Sequence, residues 1–267
     1  MKILFVGDLV GSPGRSALAE ALPLLSKRWD GFDFVVVNCE NAAAGKGMTE
    51  KIMGELFDMG VHGMTSGNHI WDKNIFYPVL ASERRVIRPA NFAPGCPGTG
   101  HALLERNGKK LGLLNLQGRV FMPPIDCPFR TADALLPEFG DIPVLVDFHA
   151  EATSEKKALA LHLNGRAAAV VGTHTHVQTA DEEVLSGGTA VISDVGMTGG
   201  HGGIIGVKTE SVMPRYLTGM PSKFEVCDED RRINAVVIEI DSETGRALNI
   251  VRINERLPLD ETNSGMK

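Results

Sequence analysis

Two apolar patterns alternate along the first two-thirds of the chain. Ile3–Val6 and Phe34–Val37 are unbroken apolar runs, as strands buried on both faces require. Between them apolar positions recur at helical spacing through Leu18, Leu22 and Leu25, with Ser12 as N-cap and Pro13 in the first turn. Thr49 caps a second predicted helix that carries Ile52, Met53, Leu56 and Phe57 and stops at Gly60. Val61–Thr65, Val144–Phe148, Ala168–Val171 and Ala190–Ser193 read as further strands, and Ser154–Leu163 as a helix ending before Asn164-Gly165. Two segments break the rhythm. Asn107-Gly108 separates His101–Arg106 from Lys110–Leu116, and Asp241–Arg246 separates Ile233–Ile240 from Ala247–Ile253; both read as hairpins. They predict a mixed sheet, or two sheets, within an α/β fold. The glycine-rich stretch Gly196–Gly206 reads as a mobile surface loop.

Composition narrows the class. The chain has 267 residues, 43% of them hydrophobic, enough for a large core without disulfides, and no repeat or linker divides it; residues 1–267 read as a single domain. A net charge of −6 excludes a surface built to wrap long nucleic acid, though not a small phosphorylated ligand. No apolar run approaches the roughly 18 residues of a membrane span. The N-terminal run is interrupted at Gly7-Asp8, without a cleavage site, and reads as a strand rather than a signal peptide. Four scattered cysteines with no CxxC pair fit reduced thiols and a cytoplasmic location. Loops around Met213 and Met220 leave a homo-oligomer open.

The chemistry lies where the predicted strands end. Strand one ends in Gly7-Asp8, the next in Asn38-Cys39-Glu40-Asn41, and then follow Gly67-Asn68-His69, Phe148-His149-Ala150-Glu151 and Gly172-Thr173-His174-Thr175-His176. In α/β sheets the ligand crevice lies beyond the carboxyl ends of the strands, so these clusters converge. Any one taken singly has a duller explanation: Asp8 as a helix cap, Asn38 or Asn68 as a turn residue. Five in succession do not. Carboxylates, amide oxygens and imidazoles suit Mn, Fe or Zn, and about seven candidate ligands are too many for one ion. Two ions sharing a bridging carboxylate would use them. His174 and His176, two apart in an extended segment, would point the same way and serve separate ions. His62, His101 and His162 have no such company, and Glu151 reads as a supporting carboxylate.

The ordered series GD, NCEN, GNH, FHAE and GTHTH resembles the calcineurin-like metallophosphoesterase superfamily. Val10 stands where that pattern has a metal-binding His, Glu40-Asn41 replaces a bridging Asp, and Ile70 follows the GNH where an acid is usual. These departures, with ENAAAGKG, TSGNHIWD, QGRVFMPPIDCPFR, VDFHAE, VGTHTHVQTAD and SDVGMTGG, are similar to the YmdB-like phosphodiesterases from Asp8 to about Gly206. The resemblance implies a four-layer αββα sandwich of two mixed sheets with a dinuclear iron or manganese site at the strand-end loops. It implies hydrolysis of phosphodiesters, with 2′,3′-cyclic nucleotides as the substrate class, by a metal-bridging hydroxide. It places Asp8, Glu40, Asn41 and His176 on one metal and Glu40, Asn68, His149 and His174 on the other, with His69 as proton donor. Asp72 is the acid nearest His69 in sequence. Lys46 and His201 stay outside the predicted site. Two other readings remain: a phosphomonoesterase on small phosphate esters, or a metal-containing regulatory protein that acts mainly by binding.

Overall fold

Successive residues of a strand face opposite sides of its sheet, and here both sides are apolar. The computed structural model describes residues 1–258. In chain order the elements are β1 (Lys2–Val6), β2 (Asp8–Leu9), α1 (Gly11–Arg28), β3 (Phe34–Asn38), α2 (Glu50–Asp58), β4 (Gly63–Thr65), α3 (Tyr77–Ser82), β5 (His101–Arg106), β6 (Lys109–Gln117), α4 (Pro128–Leu135), β7 (Val144–His149), α5 (Thr153–His162), β8 (Ala169–Thr173), β9 (Glu183–Val184), β10 (Ala190–Ile192), β11 (Met197–Gly200), α6 (Thr209–Thr218), β12 (Arg231–Ile240) and β13 (Ala247–Arg256). One sheet runs β2-β11-β12-β1-β3-β4, with β13 also paired to β12; the other runs β5-β6-β7-β8-β10-β9. β1, β3 and β4 are parallel, as are β6, β7, β8 and β10, while β12 runs antiparallel to β1. Both sheets are therefore mixed, and both predicted hairpins form.

The alternation sets the layers. Leu4, Val6, Val35 and Val37 pack against Leu18, Leu22, Leu25 and Leu56 of α1 and α2. Their neighbours Ile3, Phe5, Phe34 and Val36 face the other sheet, meeting Leu111, Leu113, Leu145, Ala169, Val171 and Ile192. On the far side Leu114, Leu116, Val146 and Phe148 cover Ala132, Leu136, Leu159 and Leu163. Helix, sheet, sheet, helix: the four layers are those the sequence resemblance implied.

Three local expectations change. Helix α1 begins at Gly11, after Val10, without a side-chain cap; the Gly11 amide donates to the Asn41 carbonyl at 2.9 Å, so the first turn is tied to the loop after β3. Gly196–Gly206 is not a mobile surface loop. Met197–Gly200 is a buried strand, pairing in parallel with β2 and antiparallel with β12. Its glycines serve close approach rather than freedom: a side chain at Gly200 would run into the Cys227 carbonyl. His174 and His176 do not lie in an extended segment; both hold positive φ, +98° and +65°.

Candidate metal centre

The C-terminal ends of β3 and β4 meet those of β7 and β8, and each brings polar residues. Asp8, Glu40, Asn41 and His149 are buried, while Asn68, His69, His174 and His176 keep partial access. His149 Nε2 lies 3.2 Å from Glu40 Oε1, 3.0 Å from Asn68 Oδ1 and 3.0 Å from His174 Nδ1. Glu40 Oε1 is also 3.1 Å from Asn41 Nδ2, whose other neighbour at 3.2 Å is His176 Nε2. Asp8 Oδ2 accepts the His174 amide at 3.1 Å. Glu40 thus stands between two groups of side chains, with Oε2 accepting the His69 amide at 3.0 Å. All eight residues singled out in the sequence come to this place. Lys46 and His201 do not join it: the Lys46 side chain points to solvent, and His201 bonds the Gly199 carbonyl at 3.1 Å. His62, His101 and His162 also lie elsewhere, each with a local partner: the Val35 amide, Glu138 and Asp133.

Hydrogen bonds outside the cluster fix which ring nitrogen faces it. The Thr173 hydroxyl donates to Asp147 Oδ1 at 2.7 Å, so at 2.9 Å it accepts the Nδ1 proton of His149. His149 Nε2 is the ring nitrogen turned towards Glu40 and Asn68. His176 Nδ1 donates to the Ile205 carbonyl at 2.9 Å, which frees its Nε2 on the Asn41 side. His174 Nε2 faces Glu151 at 3.3 Å, which leaves Nδ1 inward and gives Glu151 the supporting role read from sequence. Three imidazoles, each with one nitrogen tied to an outer partner and the other turned inward, match the way metal-binding histidines are held.

Electrostatics agree. Burial raises the Asp8 carboxyl, and Asp8 Oδ1 is buried without a hydrogen-bond partner. Burial also works to raise Glu40, yet the neighbouring His149 holds it well below the usual carboxylate range. Burial disfavours a charged His149, but Glu40, Asp8 and Asp147 outweigh it and lift the imidazole to about 9. His174 is pushed down to about 3 by burial and by His149. Glu40, His149 and His174 offer ligand atoms within 4.8 Å of one another. An unpartnered carboxylate oxygen and two imidazole nitrogens facing each other beside a buried carboxylate fit cations of the hard-to-borderline kind.

Sequence reasoning missed the supporting layer. Asp147, fully buried and pushed up to about 7 by that burial, accepts from Thr65, Thr173 and Asn38. Asp194 accepts from Lys156 Nζ at 2.6 Å, Thr175 Oγ1 at 2.7 Å, the Thr175 amide at 3.2 Å and the Gly196 amide at 2.7 Å, and so clamps the His174–His176 turn. A carboxylate inside the apolar run VLVDFH was the available signal, since a buried acid needs partners.

A family model for the YmdB-like protein matches residues 4–253. A 2′,3′-cyclic-nucleotide 2′-phosphodiesterase of Bacillus subtilis is 48% identical over 255 residues, 95% of this chain and 96% of the relative. A putative phosphatase/phosphodiesterase of Mycoplasma pneumoniae is 34% identical over 267 residues, 97% of this chain and 95% of the relative. The crystal structure of a hypothetical protein from Thermus thermophilus superposes with a TM-score of 0.90 at 44% identity, covering 97% of this chain and 100% of that one. With the family model spanning nearly all of the described residues and relatives aligned along almost their whole length, the chain belongs to the YmdB-like family.

Proposed function

We propose that the chain is a two-metal phosphodiesterase, one domain throughout, that hydrolyses 2′,3′-cyclic nucleotides in the cytoplasm. The observation that carries it is the pairing of two features: a buried cluster of carboxylate, amide and imidazole donors, and a half-exposed His69–Asp72 pair beside it. The Bacillus relative, 48% identical, supports the substrate class. No helix among the described residues is long and apolar enough to cross a membrane. Asp8, Glu40, Asn41 and His176 would hold one ion and Glu40, Asn68, His149 and His174 the other, with iron or manganese suited to such donors. Bound there, the ions supply positive charge for the phosphoryl oxygens and acidify water.

The chain's own residues supply the rest. His69 Nδ1 is 3.0 Å from Asp72 Oδ2, so the carboxylate accepts the Nδ1 proton and fixes the orientation of the ring. Asp72, three residues on, takes the orienting place of the acid missing after the GNH. Nε2 is then the nitrogen that delivers a proton to the departing 2′-oxygen. Water adds OH to phosphorus and a proton to that oxygen, leaving a 3′-monoester. The Glu40 bond to the His69 amide fixes this residue against the cluster.

The test is product analysis on adenosine 2′,3′-cyclic phosphate, with Mn²⁺ added and after chelation, beside a matching phosphomonoester. Metal-dependent release of the 3′-phosphate is expected. Faster turnover of the monoester favours the phosphomonoesterase reading, and tight binding without turnover favours a regulatory one.

A further inference from the structure

The segment Gln117–Phe121 has no part in the chemistry above, yet it is built tightly against the centre. Gln117 ends β6 in register with His149, and the Gly118 amide donates to the His149 carbonyl at 3.0 Å. A side chain at Gly118 would collide with Ala150 and the Glu155 carboxylate, so the chain turns close to the site. Glu155, buried in the first turn of α5, spends its carboxylate on this turn. The Arg119 amide lies 3.1 Å from both oxygens and the Val120 amide 3.1 Å from one. The next residue, Phe121, is held at φ +61°, a left-handed conformation that strains a bulky side chain. The residue is 89% exposed, more than any other large hydrophobic among the described residues. The hydrophobic effect acts to hide such a ring. Here a buried anion and a strained backbone keep it in water, one short turn from a site residue.

We propose that Arg119–Phe121 is the nucleobase platform of the substrate site, with the Phe121 ring stacking on the base of the bound nucleotide. The proposal rests on the cyclic-nucleotide reading of the centre. Three residues carry the chain from Gly118 to Phe121, a reach of at most about 10 Å, so one nucleotide can touch both. Val177 and Ile205, the exposed apolar residues beside His176, have no aromatic face to offer. Arg119 makes no ion pair among the described residues; its guanidinium donates only to Cys127 Sγ, at 3.4 Å, and adds positive charge to the same rim. A lone aromatic face stacks on any base and reads no hydrogen-bond pattern, so the platform favours larger bases without selecting adenine over guanine.

The experiment compares metal-loaded wild type, Phe121→Ala, Phe121→Trp and Tyr216→Ala on two substrates. One is adenosine 2′,3′-cyclic phosphate; the other is methyl riboside 2′,3′-cyclic phosphate, which keeps the reacting ring and lacks the base. Phe121→Ala is expected to raise KM for the nucleotide roughly 5- to 100-fold, with kcat within about twofold, and to narrow the preference over the baseless substrate. Phe121→Trp is expected to restore that preference. Tyr216→Ala removes another exposed aromatic, on α6, and is expected to keep it. An equal penalty on both substrates overturns the proposal, as does wild type without a preference for the nucleotide or a loss that follows Tyr216 instead. Wild type inert towards both cyclic phosphates overturns the reading of the centre first, and the platform with it.

Discussion

Replacing Thr173 by valine keeps the side-chain shape and removes the acceptor that holds the Nδ1 proton of His149. Partners of this kind govern affinity, so Thr173→Val is expected to weaken metal binding about 10- to 100-fold, read by chelator competition. Unchanged affinity would show that the ring is oriented by other contacts. Glu40 lies between two sets of donors, and Glu40→Gln is expected to lose metal and turnover together; full metal content with normal rates would remove its bridging role. His69 is a different case. If it gives a proton only as the leaving oxygen gains charge, His69→Ala keeps its metal and KM while kcat falls by roughly 10²–10⁴. Asp72→Asn should lose part of that amount, and both losses should shrink on nitrophenyl esters, which depart without a proton. Metal loss with equal penalties on good and poor leaving groups would make His69 structural. The clustering of the candidate residues was legible because metal chemistry draws on few residue types and the fold puts them at strand ends. Asp147 and Asp194 were not, because the partners that make them useful, Thr65 and Lys156 among them, are remote in sequence.

Among the elements, the turn after β8 shows how local pattern misleads. His-Thr-His reads as extended, but both histidines take left-handed backbone, held there by Asp194 against the buried Lys156 ammonium. Asp194→Ala strands that cation and is expected to cost about 3–5 kcal/mol in denaturant unfolding, partly recovered by adding Lys156→Met. Asp181 supports Ser193, the residue before Asp194. Partial burial opposes its ionisation, but the Ser193 hydroxyl and amide and Lys157 hold it at about 2. Its folded value lies below its unfolded one, so the stability it lends is present above about pH 4 and is lost as pH falls through 2. Asp181→Asn should therefore lower stability at pH 5 and lose that difference near pH 2. Strands and hairpins were legible from apolar runs and turn residues, whereas β11 was hidden because glycines signal close packing and loop freedom alike.

At the scale of the molecule, the centre joins both sheets: Asp8, Glu40, Asn41, Asn68 and His69 come from one, His149, His174 and His176 from the other. Ions bound there would stabilise only the folded chain, by about 2.7 kcal/mol at a free concentration 100 times the dissociation constant. Chelation is expected to lower Tm by roughly 5–10 °C, and a Tm blind to metal would argue against occupancy of the cluster. The four layers were foreseeable from strands apolar on both faces, but the sequence gives no hint that β12 carries β1 and β11 along one edge and β13 along the other. That arrangement bears on synthesis. Every donor has been made once His176 leaves the ribosome, yet β12, starting at Arg231, has not. Until it arrives, β11 meets the start of the chain only through β2, and the strand that pairs with both β1 and β11 is missing. A nascent or prematurely ended chain can thus carry all eight clustered residues before the strand that braces β1 and β11 side by side exists.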